Sequence, residues 1–184
     1  TAHVDRLKPE LSRLRRHLHA HPELSYAEHA TAAFVAQVLS AQGIAARPVA
    51  DTGLIAELKG EAGASGHLIA LRADLDALPI HERNTCAYRS VNDGVMHACG
   101  HDAHTAMVIG AGLVLHELRK EWSGTVQLLF QPGEEKIPGG ATLVLKEQGF
   151  GPALPQGILG QHVTPELEVG KVGFHAGPFM ASRM

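Results

Sequence analysis

From Met96 to Met107 the chain reads Met-His-Ala-Cys-Gly-His-Asp-Ala-His-Thr-Ala-Met, so four soft or borderline metal donors, His97, Cys99, His101 and His104, fall within eight residues. Gly94 and Gly100 let the backbone bend there. From such a bend the Cys99 thiolate and the His101 imidazole can approach one centre. That pairing favours zinc or another later divalent transition metal over magnesium or calcium. A tandem acid pair, Glu134-Glu135, closes a second apolar run, and His162 closes a third. Hydrolysis of an amide at neutral pH needs an activated water and a stabilised oxyanion. Two metal ions ~3.5–4 Å apart supply both. Glu134 and Glu135, if extended, point in opposite directions. One can then bind metal while the other passes a proton from the attacking water to the leaving amine. Asp76 is placed to hydrogen-bond a ligand histidine and fix its tautomer.

Each of these residues alone has a plainer reading. Cys99 suits a buried small side chain, the acid pair a solvated loop, and His162 a satisfied structural histidine. Asp74 and Asp76 can cap the segment that follows them. Arg72, inside an apolar run, needs an acidic partner. His97 and His104 stand between a supporting and a structural role. Cys99 as a nucleophile with His101 as its base leaves the acid pair unexplained. The set taken together reads as a metal hydrolase.

The surrounding elements must bring these residues together. Val4, Leu7, Leu11, Leu14 and Leu18 step by three and four, an amphipathic helix that His21-Pro22 stops. Ser25-Tyr-Ala-Glu28 reads as a capping box opening a second helix through Leu39, with Gly43 after it. Residues 44–49 and 54–58 read as strands around an Asp51-Thr-Gly53 turn. Leu68-Ile-Ala-Leu-Arg-Ala73 has the continuous apolar character of a strand buried on both faces. A long helix is expected over about 102–120, a strand over 125–130, a helix over about 140–148, and a strand from Ile158 to His162. One more strand is expected over 169–174. Alternating strands and helices predict an α/β domain: three layers, with a mixed, largely parallel sheet flanked by helices. Ligands in such sheets gather beyond the carboxyl ends of strands. Asp74/Asp76, Glu134/Glu135 and His162 all sit at such ends, and Cys99-Gly-His101 opens a helix.

The 184 residues fit one domain, and 45% hydrophobic content is enough for a core. A net charge of −3, scattered Lys and Arg and few aromatics argue against nucleic-acid or anionic-membrane partners. Two cysteines make no disulfide framework, which suits a reducing, cytoplasmic compartment. No apolar run reaches the ~18 residues of a membrane helix. Most of the thirteen histidines read as surface residues.

The segments Leu71-Arg-Ala-Asp-Leu-Asp-Ala-Leu-Pro-Ile80, Met96–Met107, Phe130-Gln-Pro-Gly-Glu-Glu135 and Gly160-Gln-His-Val163 resemble the M20 metallopeptidase family. Within it they are similar to the aminoacylase/amidohydrolase branch: hippurate hydrolases, N-acyl-amino-acid amidohydrolases and plant indole-acetyl-amino-acid hydrolases. His19-Ala-His-Pro-Glu-Leu-Ser25 resembles that branch's N-terminal signature. The resemblance implies a zinc-exopeptidase-like catalytic domain and a site for two divalent ions (zinc, manganese, cobalt or nickel). It makes Cys99, His101, Glu135 and His162 ligands, Glu134 the general acid/base and Asp76 a supporting acid. Asp74 falls where other branches carry a ligand histidine and is not counted among the ligands. The substrate implied is a small N-acyl amino acid or peptide. Residues 1–184 correspond to the N-terminal part of the catalytic domain. The family's lid and dimerisation domain follows the segment like Gly177-Pro-Phe-Met-Ala-Ser182, and a C-terminal catalytic segment with a last histidine ligand follows the lid. A homodimer or higher oligomer would form through that lid. A dinuclear dipeptidase or carboxypeptidase is the alternative, although those branches usually carry aspartate at position 99. A truncated, non-catalytic metal-binding domain is a third reading.

Overall fold

A computed structural model describes residues 2–174, 176 and 177. Five strands form one sheet in the order β1-β2-β4-β3-β5: β1 (Ala46–Val49), β2 (Gly53–Lys59), β3 (Leu68–Asp74), β4 (Thr125–Gln131) and β5 (Gly157–Gly160). The sheet is mixed. β1 and β2 are antiparallel, as are β2 and β4, whereas β3 runs parallel to both β4 and β5. The parallel half is the half that matters for the site, because its three strands deliver their carboxyl ends to one edge.

Alternation along the strands sorts the core into two faces. Val126, Leu128 and Phe130 of β4 and Leu54, Ala56 and Leu58 of β2 face helices α1 (Ala2–Ala20), α2 (His29–Ser40) and α3 (His101–Glu117). Leu129, Ile55 and Ala70 turn to the opposite face with Val144 of α4 (Gly140–Lys146). The expected three layers are present. In α1 the apolar seam is buried toward its C-terminal end: Leu14 and Leu18 are buried, Leu11 packs partly against the core, and Val4 is exposed. No helix among the described residues is long and apolar enough to cross a membrane.

Three local expectations give way to tertiary context. The second helix starts at His29 rather than Ser25. Its first amides are capped from outside: the Glu23 carboxylate accepts from Ala30 N (3.2 Å) and Thr31 N (2.7 Å). Ser25 and Glu28, read as a capping box, spend their side chains on other segments. β5 ends at Gly160, two residues before His162. The strand expected over 169–174 does not form; residues 171–174 are irregular and exposed. An extended segment needs a neighbour to supply its ladder, and no strand among the described residues lies alongside. Pro178 to Ser182, in the segment expected to precede a lid, lie outside the described residues.

Candidate metal centre

β3 and β4 stay in register to Asp74 opposite Gln131, and Leu75 N extends the pairing to Gln131 O (2.9 Å). The residues just past both strands therefore leave the same edge side by side. β5 brings His162 to that edge from the other flank of β3. α3 begins there too. Its N-cap, Gly100, holds a left-handed φ of +89°, and a β-carbon on it would lie 2.4 Å from Val163 Cγ2. Both the turn and the close approach require glycine.

Cys99 Sγ lies 3.4 Å from His162 Nε2, although 63 residues separate them. Three overlapping donor groups fit within a 4.8 Å span each: Cys99, His101 and His162; His101, Glu134 and Glu135; and Asp74, His101 and His104. His101 belongs to all three.

The buried His101 ring is fixed by Asp76, though not through the atom expected. His101 Nδ1 is 2.8 Å from the Asp76 backbone carbonyl. A carbonyl only accepts, so Nδ1 carries the hydrogen and Nε2 is turned to Glu135, 3.9 Å from its Oε1. The Asp76 carboxylate serves elsewhere: Oδ2 accepts from Ser25 Oγ (2.7 Å) and from Glu135 N (2.9 Å). Its Oδ1, buried and without a hydrogen bond, faces Nδ1 at 3.4 Å.

Glu134 and Glu135 do not diverge as two extended residues would. The chain bends through 134–136, and both carboxylates converge on His101. Asp74, buried, accepts at Oδ1 from Arg72 Nη2 (2.6 Å). That contact supplies the acidic partner Arg72 needs and engages one of the oxygens a metal would use. His104 Nε2 accepts from Val163 N (3.0 Å), so this ring anchors the loop that carries His162. His97 is buried with neither nitrogen hydrogen-bonded. Burial, opposed by the nearby Asp102 charge, lowers its pKa to about 4, so it packs as a neutral ring.

Around its thiol and carboxylates the site is short of positive charge. Burial, then Glu135 and Glu134, push the Cys99 thiol up to about 12. Burial, then Asp74 and Glu135, raise the Glu134 carboxyl. Burial disfavours a charged His101, but Asp76 and Asp74 outweigh it and lift the ring to about 9. Burial, then the His162 and His101 charges, lower His104 to about 3. A thiol, imidazoles and carboxylates that destabilise one another's anions, gathered within a few ångströms, fit a divalent cation by donor type and by charge.

The profile of peptidase family M20/M25/M40 matches residues 70–178, more than half of the chain. The chain belongs to that family. The N-acyl-L-amino acid amidohydrolase of Geobacillus stearothermophilus is 44% identical over 184 residues, covering 97% of this chain and 48% of that protein. The N-acetyl-L-cysteine deacetylase of Bacillus subtilis (strain 168) is 45% identical over 177 residues, covering 96% and 41%. A crystal structure of the Bacillus subtilis YxeP protein, described as a dinuclear metal binding peptidase from the M20 family, matches with a TM-score of 0.88. Its identity is 42%, over 95% of this chain and 48% of that one. This M20-family chain thus spans less than half the length of these relatives.

Behind the site lies a buried ionic group that the sequence did not reveal. His19 Nδ1 is 2.7 Å from Asp102 Oδ2, and its Nε2 is 3.1 Å from Glu82 Oε1. Arg15 Nε reaches the same Asp102 oxygen at 2.9 Å. The group ties α1 and the loop at 82–90 to the first turn of α3, next to His101. His19 stood in a motif, but its partners are 63 and 83 residues away, and no local pattern names them.

Proposed function

We propose that this chain is the N-terminal part of the catalytic domain of a metal-dependent amidohydrolase. The reaction would split an N-acyl amino acid into a carboxylate and a free amino acid. The observation that carries the reading is the convergence of Cys99, His101, His162, Glu134 and Glu135 at the carboxyl edge of β3, β4 and β5. Similarity to proteins named for N-acyl-amino-acid and N-acetylcysteine hydrolysis supports the substrate class.

Cys99, His101, Glu135 and His162 would hold the cations, zinc, manganese, cobalt or nickel by donor type. When bound, two divalent ions polarise the acyl carbonyl and make water a competent nucleophile near neutral pH. The chain's own residues do the rest. Glu134 takes the proton from the attacking water and delivers it to the leaving nitrogen, so the amine departs neutral while the acyl carbon gains the hydroxyl oxygen. Its raised pKa suits a group that must first accept that proton and then give it up. Asp76, through its carbonyl, keeps His101 Nε2 directed at Glu135. Asp76 Oδ2 holds the Glu135 amide. The remaining ligand, a lid and a dimer contact belong to sequence beyond these 184 residues in this reading.

The test is Glu134→Gln in the full-length protein, assayed on N-acetyl and N-benzoyl amino acids beside free dipeptides. Turnover should fall by on the order of 10³-fold or more while elemental mass spectrometry finds the metal content unchanged. Retained turnover would remove Glu134 from the mechanism. Preference for free dipeptides would favour a peptidase.

A further inference from the structure

The two adjacent acids of the site have separate anchors. Glu135 is held by its own amide, which donates to Asp76 Oδ2 (2.9 Å). Among the described residues nothing comparable holds the Glu134 amide; the turn just before it is held instead by Gly133 N, which donates to Glu28 Oε1 (2.7 Å). Glu28 is fully buried, and its other oxygen accepts from Thr52 Oγ1 (2.5 Å). A carboxylate removed from water is costly unless its oxygens are satisfied. Both Glu28 oxygens here accept hydrogen bonds, and one of the two donors is the amide of Gly133, the residue immediately before Glu134.

The neighbouring residues converge on the same turn. Tyr26 OH donates to Lys136 O (3.0 Å), so Tyr26 and Glu28 grip the acid loop on either side of Glu134 and Glu135. A β-carbon at Gly133 would lie 2.3 Å from Tyr26 Cε1, so the ring rests directly on that peptide. Tyr26 is held at a left-handed φ of +65°. A bulky residue there is strained and persists only where its surroundings over-determine it. Gly133, at φ +53°, is the residue that lets the chain bend under the ring.

We propose that Glu28 is a positioning residue for Glu134: by holding the Gly133 amide it sets where the proton-carrying carboxylate stands. This rests on Glu134 being the proton carrier. Because Glu135 has its own anchor, the effect of losing Glu28 falls on proton transfer and not on metal retention. A misplacement of about 1 Å at a reacting group costs up to on the order of 10²-fold.

Three substitutions in the full-length protein separate reach from charge. Glu28→Gln keeps the length: its carbonyl can accept from Gly133 N and its amide can donate to Thr52 Oγ1, so kcat should stay within about threefold. Glu28→Asp keeps the charge but is one methylene short, and Glu28→Ala removes both contacts. Each should lower kcat by about 10- to 100-fold, with KM and metal content within twofold. Hydrogen exchange of the Gly133 amide supplies a readout independent of turnover: protected in the parent and in Glu28→Gln, at least tenfold faster in Glu28→Asp and Glu28→Ala. Glu28→Ala is the variant most exposed to misfolding, and the Asp and Gln pair carries the test without it. The proposal is overturned if Glu28→Asp keeps parental kcat and Gly133 protection, or if it loses kcat only in proportion to lost metal. If Glu134→Gln abolishes turnover while Glu28→Asp does not lower kcat, the proposal fails and the role of Glu134 stands. If Glu134→Gln keeps turnover, that role falls and takes this one with it.

Discussion

Asp102→Asn tests whether the buried ionic group behind the site holds the fold together. The Asp102 carboxylate is almost wholly buried. Oδ2 is shared by His19 Nδ1 at 2.7 Å and Arg15 Nε at 2.9 Å, and Oδ1 accepts from Ala103 N at 2.9 Å. Asparagine is isosteric but carries no charge, and its amide group must face at least one donor. Removing one member of a buried charge group costs about 3–5 kcal/mol. The lower end applies here, because Arg15 is partly exposed and can turn to water while His19 keeps Glu82. About 3 kcal/mol, with a urea m-value of ~2 kcal/mol/M, moves the midpoint down by ~1.5 M. Trp122 is the only tryptophan of the chain and lies half-buried with Nε1 donating to Leu115 O, so its fluorescence can follow the transition. The loss should depend on pH. The hydrogen bond to Asp102 raises the His19 pKa; burial opposes this and Glu82 adds to it. A raised folded-state pKa contributes stability that is full below the unfolded value of about 6.5 and is lost as pH rises through the folded value. The gap between parent and variant should therefore be widest near pH 6 and narrow at higher pH. A midpoint shift below ~0.3 M at pH 6, or a gap that widens with pH, would refute the account.

The other predictions concern the site and the core. Gly100→Ala puts a β-carbon onto Val163 at a left-handed position. It should displace the His162 loop and weaken metal binding about tenfold or more by titration calorimetry; parental affinity would count against it. Cys99→Ala and His162→Ala should each lower the metal found by elemental mass spectrometry, which Glu134→Gln should leave unchanged. Phe130→Ala empties a fully buried position on central β4. It should cost about 3–5 kcal/mol in urea unfolding with an unchanged m-value; a cost under ~1 kcal/mol would mean the core closes over the gap.

The parts of this molecule that were legible in the sequence are those that local pattern determines. Leu68 to Ala73 and Thr125 to Phe130 emerged as β3 and β4, but only β4 is buried on both faces; on β3 Ile69 is exposed and Arg72 half-buried, against the expectation of a strand covered on both sides. The arrival of Asp76 and Glu134 at one edge followed from the rule that places ligands beyond strand ends, and that of Cys99 from its place at the start of a helix. Long-range polar contacts were not legible. Ser25-Tyr-Ala-Glu28 satisfies a capping-box pattern, yet Ser25 Oγ and the Glu28 carboxylate bind Asp76, Thr52 and Gly133. A local motif worth about 1 kcal/mol yields to a set of buried tertiary hydrogen bonds. The divergence of Glu134 and Glu135 was expected only for an extended chain, and Gly133 bends it.

The bond from His101 Nδ1 to the Asp76 main-chain oxygen has a genetic consequence. Where a side-chain carboxylate orients such a histidine, one codon change can delete the hydrogen bond. Here every amino acid at position 76 brings the same carbonyl. Substituting Asp76 should strip the anchor from the Glu135 amide and leave the proton on His101 Nδ1 where it is. Only a change that moves the end of β3 can reverse the ring's polarity. The face that His101 presents to the centre is therefore a property of the fold, and it is protected from drift by being written in the backbone.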